Sequence, residues 1–200
     1  MILRGLASLL ILGLLVLNLL LPGVDGLARG PERLIREDVE SKLVVGEPLP
    51  PFELFDRRGR RHDREALQGH PVLLVFERSL DWRPSTKVRL ARLARVFEAT
   101  PELRIVWVMP DSQASERAWR FIDELDPSDR ILFLSDPKSR LIRALGILDP
   151  SPPPVEQGVP FPTTLLLDRG GRIRFIDIRE DSRFWLDPGL IAAALAGIEA

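Results

Sequence analysis

Residues 72–93 read VLLVFERSLDWRPSTKVRLARL, and the fold turns on how this stretch divides. Its first five residues, Val72 to Phe76, are apolar without alternation, as in a strand covered on both faces. Pro84 suits the first turn of a helix, where a missing N–H costs nothing. Behind it Val88, Leu90, Leu93, Ala94 and Phe97 recur at roughly helical spacing, with Arg89, Arg92 and Arg95 between them. The stretch therefore reads as a buried strand, a loop at 79–83 and a long amphipathic helix opening at Pro84.

Downstream, strand and helix patterns alternate. Residues 103–109 form a strand closed by Pro110 and Asp111. Ser112 or Ser115 caps a helix to Leu125, with Ala118, Trp119, Ile122 and Leu125 on its buried face. A strand at 130–134 leads into a helix at 138–145 that Gly146 ends. This alternation predicts parallel pairing through right-handed crossovers. The stretch 149–162 holds Pro150, Pro152, Pro153, Pro154, Pro160 and Pro162, and reads as an irregular loop. A hairpin follows, with a strand at 163–168, a turn at 169–171 and an alternating return at 172–178. Asp187 and Pro188 cap a last helix, 189–198. Upstream, 45–54 enters a first hairpin turning at 56–60, and Asp63 caps a short helix at 64–67 that Gly69 ends.

On these residues the chain resembles the alkyl hydroperoxide reductase/thiol-specific antioxidant branch of the thioredoxin superfamily, the redoxin or peroxiredoxin-like proteins. The resemblance rests on FERSLDWRPSTKVRLARL at 76–93 and VGEPLPPF at 45–52. LSDP at 134–137 followed by LGI at 145–147, and FPTT at 161–164, extend it toward the C-terminus. It implies a thioredoxin-like α/β fold with a central mixed sheet flanked by helices. It also implies that Pro162 is a cis proline opposite the loop, presenting the preceding backbone to a partner or substrate. Dithiol members of the branch often carry Trp-Cys-Pro-x-Cys at the helix entrance. Here Trp82 and Pro84 stand in place, Arg83 occupies the first cysteine position and Thr86 the second.

The sequence contains no cysteine at all. The chemistry that the resemblance implies uses a thiolate whose pKa is lowered at a helix N-terminus. A guanidinium cannot attack a peroxide or disulfide, and a threonine cannot resolve one. The same helix end mildly disfavours the charge of Arg83, which Asp81 offsets. The expectation is a retained fold without thiol chemistry, and no catalytic residue is assigned. Asp81, Trp82, Arg83, Pro84, Phe161, Pro162 and Thr163 are the candidate binding groove for a polypeptide partner. An enzyme of this family type working by a non-thiol mechanism at the same loop is the alternative, and a purely structural accessory domain a third reading. The hydroxyls of Ser79, Ser85 and Thr86 have no histidine base beside them in sequence. His62 and His70, the only two histidines, are expected in surface loops rather than as metal ligands or general bases. No metal and no cofactor are expected.

Net charge is −1, with arginines spread along the chain, so no bulk electrostatic case exists for nucleic acid. Residues 5–21, GLASLLILGLLVLNLLL, span about 26 Å as a helix at ~1.5 Å per residue, near the hydrocarbon thickness of a bilayer. Residues 1–22 are accordingly expected to be a transmembrane anchor, with a cleaved signal peptide as the alternative. Residues 23–44 read as a juxtamembrane spacer holding a short helix over 31–39, and 45–200 as the globular domain. The soluble domain is expected on the extracytoplasmic, periplasmic side of a single-pass membrane protein.

Overall fold

The computed structural model describes residues 33–35, 39–56, 58–78, 93, 96, 98–110, 131–150, 158–179 and 187–199. Strand β1 is Arg33–Ile35, β2 Leu54–Phe55, β3 Arg61–His62, β4 Val72–Phe76 and β5 Arg104–Met109. Strand β6 is Ile131–Ser135, followed by helix α1, Arg140–Ala144. The pair β7 (Leu148–Asp149) and β8 (Val159–Pro160) forms a small antiparallel ribbon. Strands β9 (Thr163–Leu167) and β10 (Ile173–Ile178) precede helix α2, Pro188–Glu199.

Among the described residues the main sheet has eight strands in the order β1-β10-β9-β4-β5-β6-β2-β3. Strands β4, β5 and β6 run parallel in register, Leu74 opposite Val106 and Val106 opposite Leu132. Strand β9 lies antiparallel between β4 and β10. The mixed sheet, its parallel centre and the final hairpin follow the alternation read in the sequence.

Every residue of β4 is buried, and successive side chains go to opposite layers. Val72, Leu74 and Phe76 join Val106, Val108, Leu165 and Leu167 in one layer. Leu73 and Val75 join Ile105, Trp107, Leu166 and Phe175 in the other, with Leu93, Val96, Ile191 and Leu195 from helical residues above them. This two-sided cover explains the missing alternation at 72–76. Strand β10 reaches the same end with a bulge: Ile173 pairs with Leu167, yet Phe175 already pairs with Leu166. Arg174 is the extra residue, and the parity change sends Ile173 and Phe175, two residues apart, to opposite layers.

Two turns have clear physical causes. Helix α1 ends at Gly146, whose φ of +69° suits glycine. Gly146 N–H donates to Arg143 O and Ile147 N–H to Ile142 O, a Schellman ending. A Cβ at Gly146 would lie 2.8 Å from Glu40 O, so glycine also admits the 40–42 backbone against the helix end. Ahead of α1, Lys138 and Ser139 both have positive φ, 65° and 50°. Asp136 holds that strained turn by accepting from Leu141 N and Ile142 N, while Ser139 Oγ donates to Gly158 O.

Three expectations differ from the structure. Arg33–Ile35 is a strand parallel to β10, where a short helix is expected over 31–39. An unpaired edge of β10 offers backbone donors and acceptors that a three-residue strand satisfies. Val39 and Leu43 enter the core, so the sheet and core take in part of the stretch read as a spacer. The second difference is the ribbon of β7 and β8 inside the proline-rich loop: Pro160 pairs there because an edge strand tolerates its missing donor. The third is Pro162, whose peptide bond is trans. Phe161 N–H donates to Ile147 O and Pro162 O accepts from Arg179 N–H, and these two bonds hold the trans backbone at the start of β9. Residues 1–32, which include the apolar run, lie outside the described residues, as does the helix expected at 112–125. Among the described residues no helix is long and apolar enough to cross a membrane.

Candidate functional site

Strands β4, β5 and β6 are parallel, so their C-terminal ends share one edge of the sheet, where open α/β sheets hold their ligands. Strand β9 is antiparallel, so its first residue, Thr163, lies at that same edge, paired with Phe76 on one side and Ile178 on the other. The loop after β4 therefore leaves the sheet beside the start of β9. Asp81, Trp82, Arg83, Pro84 and Thr86 themselves lie outside the described residues.

The 161–163 half is more closed than the sequence suggests. Phe161 is 6% exposed and packs in the core layer with Ile142 of α1 and Leu165 of β9. Thr163 is fully buried, and its Oγ1 donates to Phe161 O at 2.9 Å. Only Pro162 of the three is partly exposed. Phe161 N–H, Phe161 O and Pro162 O all have partners within the chain. This segment therefore has little backbone left to offer another chain as an added strand, and any contact here falls to the Pro162 ring.

Two buried carboxylates flank this edge, and neither stands out in the sequence. Asp177 sits on β10 opposite Thr164, is 2% exposed, and pairs with the Arg179 guanidinium. Burial pushes its pKa up, Arg179 opposes that, and nearby Asp187 adds to the rise. Thr164 Oγ1, also buried, has no hydrogen-bond partner. Asp136 is 1% exposed after β6; burial raises its pKa, and the amides of Ile142, Leu141 and Arg140 work against the rise. The one signal for Asp177 in the sequence is an acid within the apolar run of β10, IRFIDI. Asp136 carries the usual sign of a residue preceding Pro at a helix start.

His62 is a paired hairpin residue. Its Nε2 lies 3.3 Å from Asp56 Oδ2, and that carboxylate also accepts from Arg58 N, Arg60 N and Arg60 Nε. Burial alone would raise the Asp56 pKa, but these donors outweigh it and hold it at about 2, against an ordinary 3.8. The hairpin thus favours the ionised form. Its contribution to stability is complete above the ordinary value and is lost as pH falls through about 2. An Asp56→Asn protein should be less stable than the parent at about pH 6, and the gap should close on acidification toward about pH 2, as read by denaturant titrations at each pH. Among the described residues no group of three or more His, Asp or Glu side chains is placed to hold a metal ion.

Solved structures share this architecture. Thiol peroxidase from Chromobacterium violaceum superposes with a TM-score of 0.63 at 23% identity, over 81% of this chain and 92% of that one. AhpC of Mycobacterium tuberculosis gives 0.60 at 17% identity, over 79% and 94%. Peroxidoxin BcpB of the same organism gives 0.57 at 21% identity, over 78% and 97%. At these identities the likeness establishes the thioredoxin-like fold. Among curated proteins nothing matches. The model of the AhpC/TSA family matches residues 45–176, which take in the strand–loop–helix stretch, the parallel sheet and the final hairpin. With that span matched and no cysteine anywhere in its sequence, the chain belongs to the AhpC/TSA family as a cysteine-free member.

Proposed function

We propose that this chain is a membrane-tethered, redox-inactive AhpC/TSA-family domain that binds a polypeptide partner at the edge where β4, β5 and β6 end. One observation carries the reading: a family built around a reactive thiolate is represented here by a chain with no thiol, with Arg83 and Thr86 at the two motif positions. The apolar run at 5–21 supports the tether. Phe161 and Thr163 are too buried to touch a partner, so recognition rests on Asp81, Trp82, Arg83 and the Pro162 ring. A tryptophan beside an arginine is the side-chain pairing that interface energetics favour. The chemistry fits an extended segment carrying an acidic residue for Arg83 and an apolar residue for Trp82.

A photo-crosslinking amino acid at position 85, introduced in the native host, should capture a defined partner from membranes. Arg83→Glu in the same background should cut that capture at least tenfold, about 1.4 kcal/mol or more of binding, with the melting temperature unchanged. Equal capture by the parent and the Arg83→Glu protein would remove the groove from the proposal.

A further inference from the structure

The direction of β1 relates the two ends of the domain to the tether. Strand β1 runs parallel to β10, with Arg33 opposite Ile176 and Ile35 opposite Ile178. Strand β10 itself starts at the 168–172 turn and runs toward Thr163. The chain therefore comes into β1 from the side of the 168–172 turn, at the far end of the sheet from the proposed groove. Eleven residues, 22–32, separate the apolar run from β1.

That far end carries exposed arginines. Arg169, Arg172 and Arg174 lie on or next to the turn, and Arg104 opens β5 at the same level, since Arg104 pairs with Val72 and Val72 with Leu167. The Arg169 side chain is 60% exposed and that of Arg174 43%. The described acids at this end include Glu47, Glu102 and Asp168. Asp168 is engaged by Gly170 N, Arg172 N and the Arg174 guanidinium, and Glu102 by Arg169. Each ion pair uses only part of a guanidinium that has five donors. Arg172 spends one nitrogen on Gly46 O and presents the rest outward.

Resting on the tether proposed above, we infer that the 168–174 turn faces the bilayer and that its arginines contact anionic lipid headgroups, which points the edge bearing Pro162 away from the membrane. Juxtamembrane basic residues are drawn to anionic leaflets within about a Debye length of the surface. A groove on the opposite end is then open to a partner that is not itself embedded in lipid.

The absence of cysteine makes the test clean, because one introduced thiol is the only one labelled. Full-length chain carrying either Gly170→Cys or Lys138→Cys is labelled with a fluorophore and placed in nanodiscs containing headgroup-linked paramagnetic lipid. Lys138, beyond the C-terminal end of β6, marks the groove end. In discs containing phosphatidylglycerol, quenching at position 170 should exceed that at 138 at least threefold. Arg169→Glu with Arg172→Glu should erase most of that difference, and purely zwitterionic discs should reduce it. Equal quenching at both positions, or stronger quenching at 138, overturns the orientation while leaving the tether intact. A difference that survives both the arginine changes and zwitterionic lipid overturns the headgroup contact. A chain that fails to remain with the discs removes the tether itself, and this inference with it.

Discussion

Hydrogen peroxide mixed with the purified chain and a dithiol reductant should disappear no faster than in buffer. Peroxide reduction in this family's manner requires a thiolate that attacks one peroxide oxygen, breaking the O–O bond and releasing water, and the sulfenic acid left on that sulfur is then resolved by another thiol. This sequence has no thiol to take the first step. The motif keeps Trp82 and Pro84, so the converse experiment is informative. Arg83→Cys with Thr86→Cys should yield a protein with two titratable thiols when reduced and none after mild oxidant. Intramolecular closure needs only the short Cβ separation that a dithiol of this spacing has at a helix entrance. Thiols that stay reduced in the double variant would show that the 79–86 loop is not shaped as the family motif suggests. Rapid peroxide loss with the unmodified chain would overturn the absence of thiol-type chemistry as a guide to its role.

Trp107→Ala should cost about 3–5 kcal/mol in a urea titration, the range for emptying a buried aromatic site. Trp107 is fully buried in the centre of β5, stacked on Phe133 with ring centroids 6.2 Å apart. Its layer also holds Leu73, Val75, Leu166 and Phe175, from β4, β9 and β10 on one side of it, while Phe133 comes from β6 on the other. Neighbours that are themselves fixed by the sheet cannot collapse into the space, so the larger end of the range is expected. Domains of this kind have only about 5–15 kcal/mol in hand, so the variant should lose a large share of its cooperative transition. Val44→Ala is the control: that side chain is 55% exposed, and the change should stay within about 0.5 kcal/mol. Similar losses for both would mean that the two-layer core is wrongly assigned.

The sheet was legible because its physics is local. Five apolar residues in a row at 72–76 announced two-sided burial, and alternating strands and helices announced parallel pairing. The hairpin at 163–178 was equally plain, yet its bulge was not, although the adjacent apolar pair Phe175 and Ile176 breaks a strict alternation and is the trace a bulge leaves. Strand β1 was beyond reach: three residues with mixed charge nearby carry no period, and their pairing depends on an edge formed some 140 residues later. Pro162 is trans where the resemblance implies cis, because the deciding contacts, from Ile147 and Arg179, are tertiary and leave no mark in the local sequence. The buried acids were hidden for a related reason. Asp177 and Asp136 are set apart by the desolvation around them and by their partners Arg179, Leu141 and Ile142, none of which a sequence pattern reveals. The Asp81–Arg83 half of the expected groove rests on its motif alone and lies outside the described residues.

Strand β1 has a practical consequence for anyone who shortens this protein. Trimming to the span that the family model matches, from residue 45, would discard Arg33–Ile35 together with Val39 and Leu43. The shortened molecule would carry a bare ladder of hydrogen-bonding groups along residues 176–178 of β10, all buried in the parent. Such a naked border invites another copy to lie alongside it, so clumping of the shortened form would report on the missing cover and not on the habits of the intact protein.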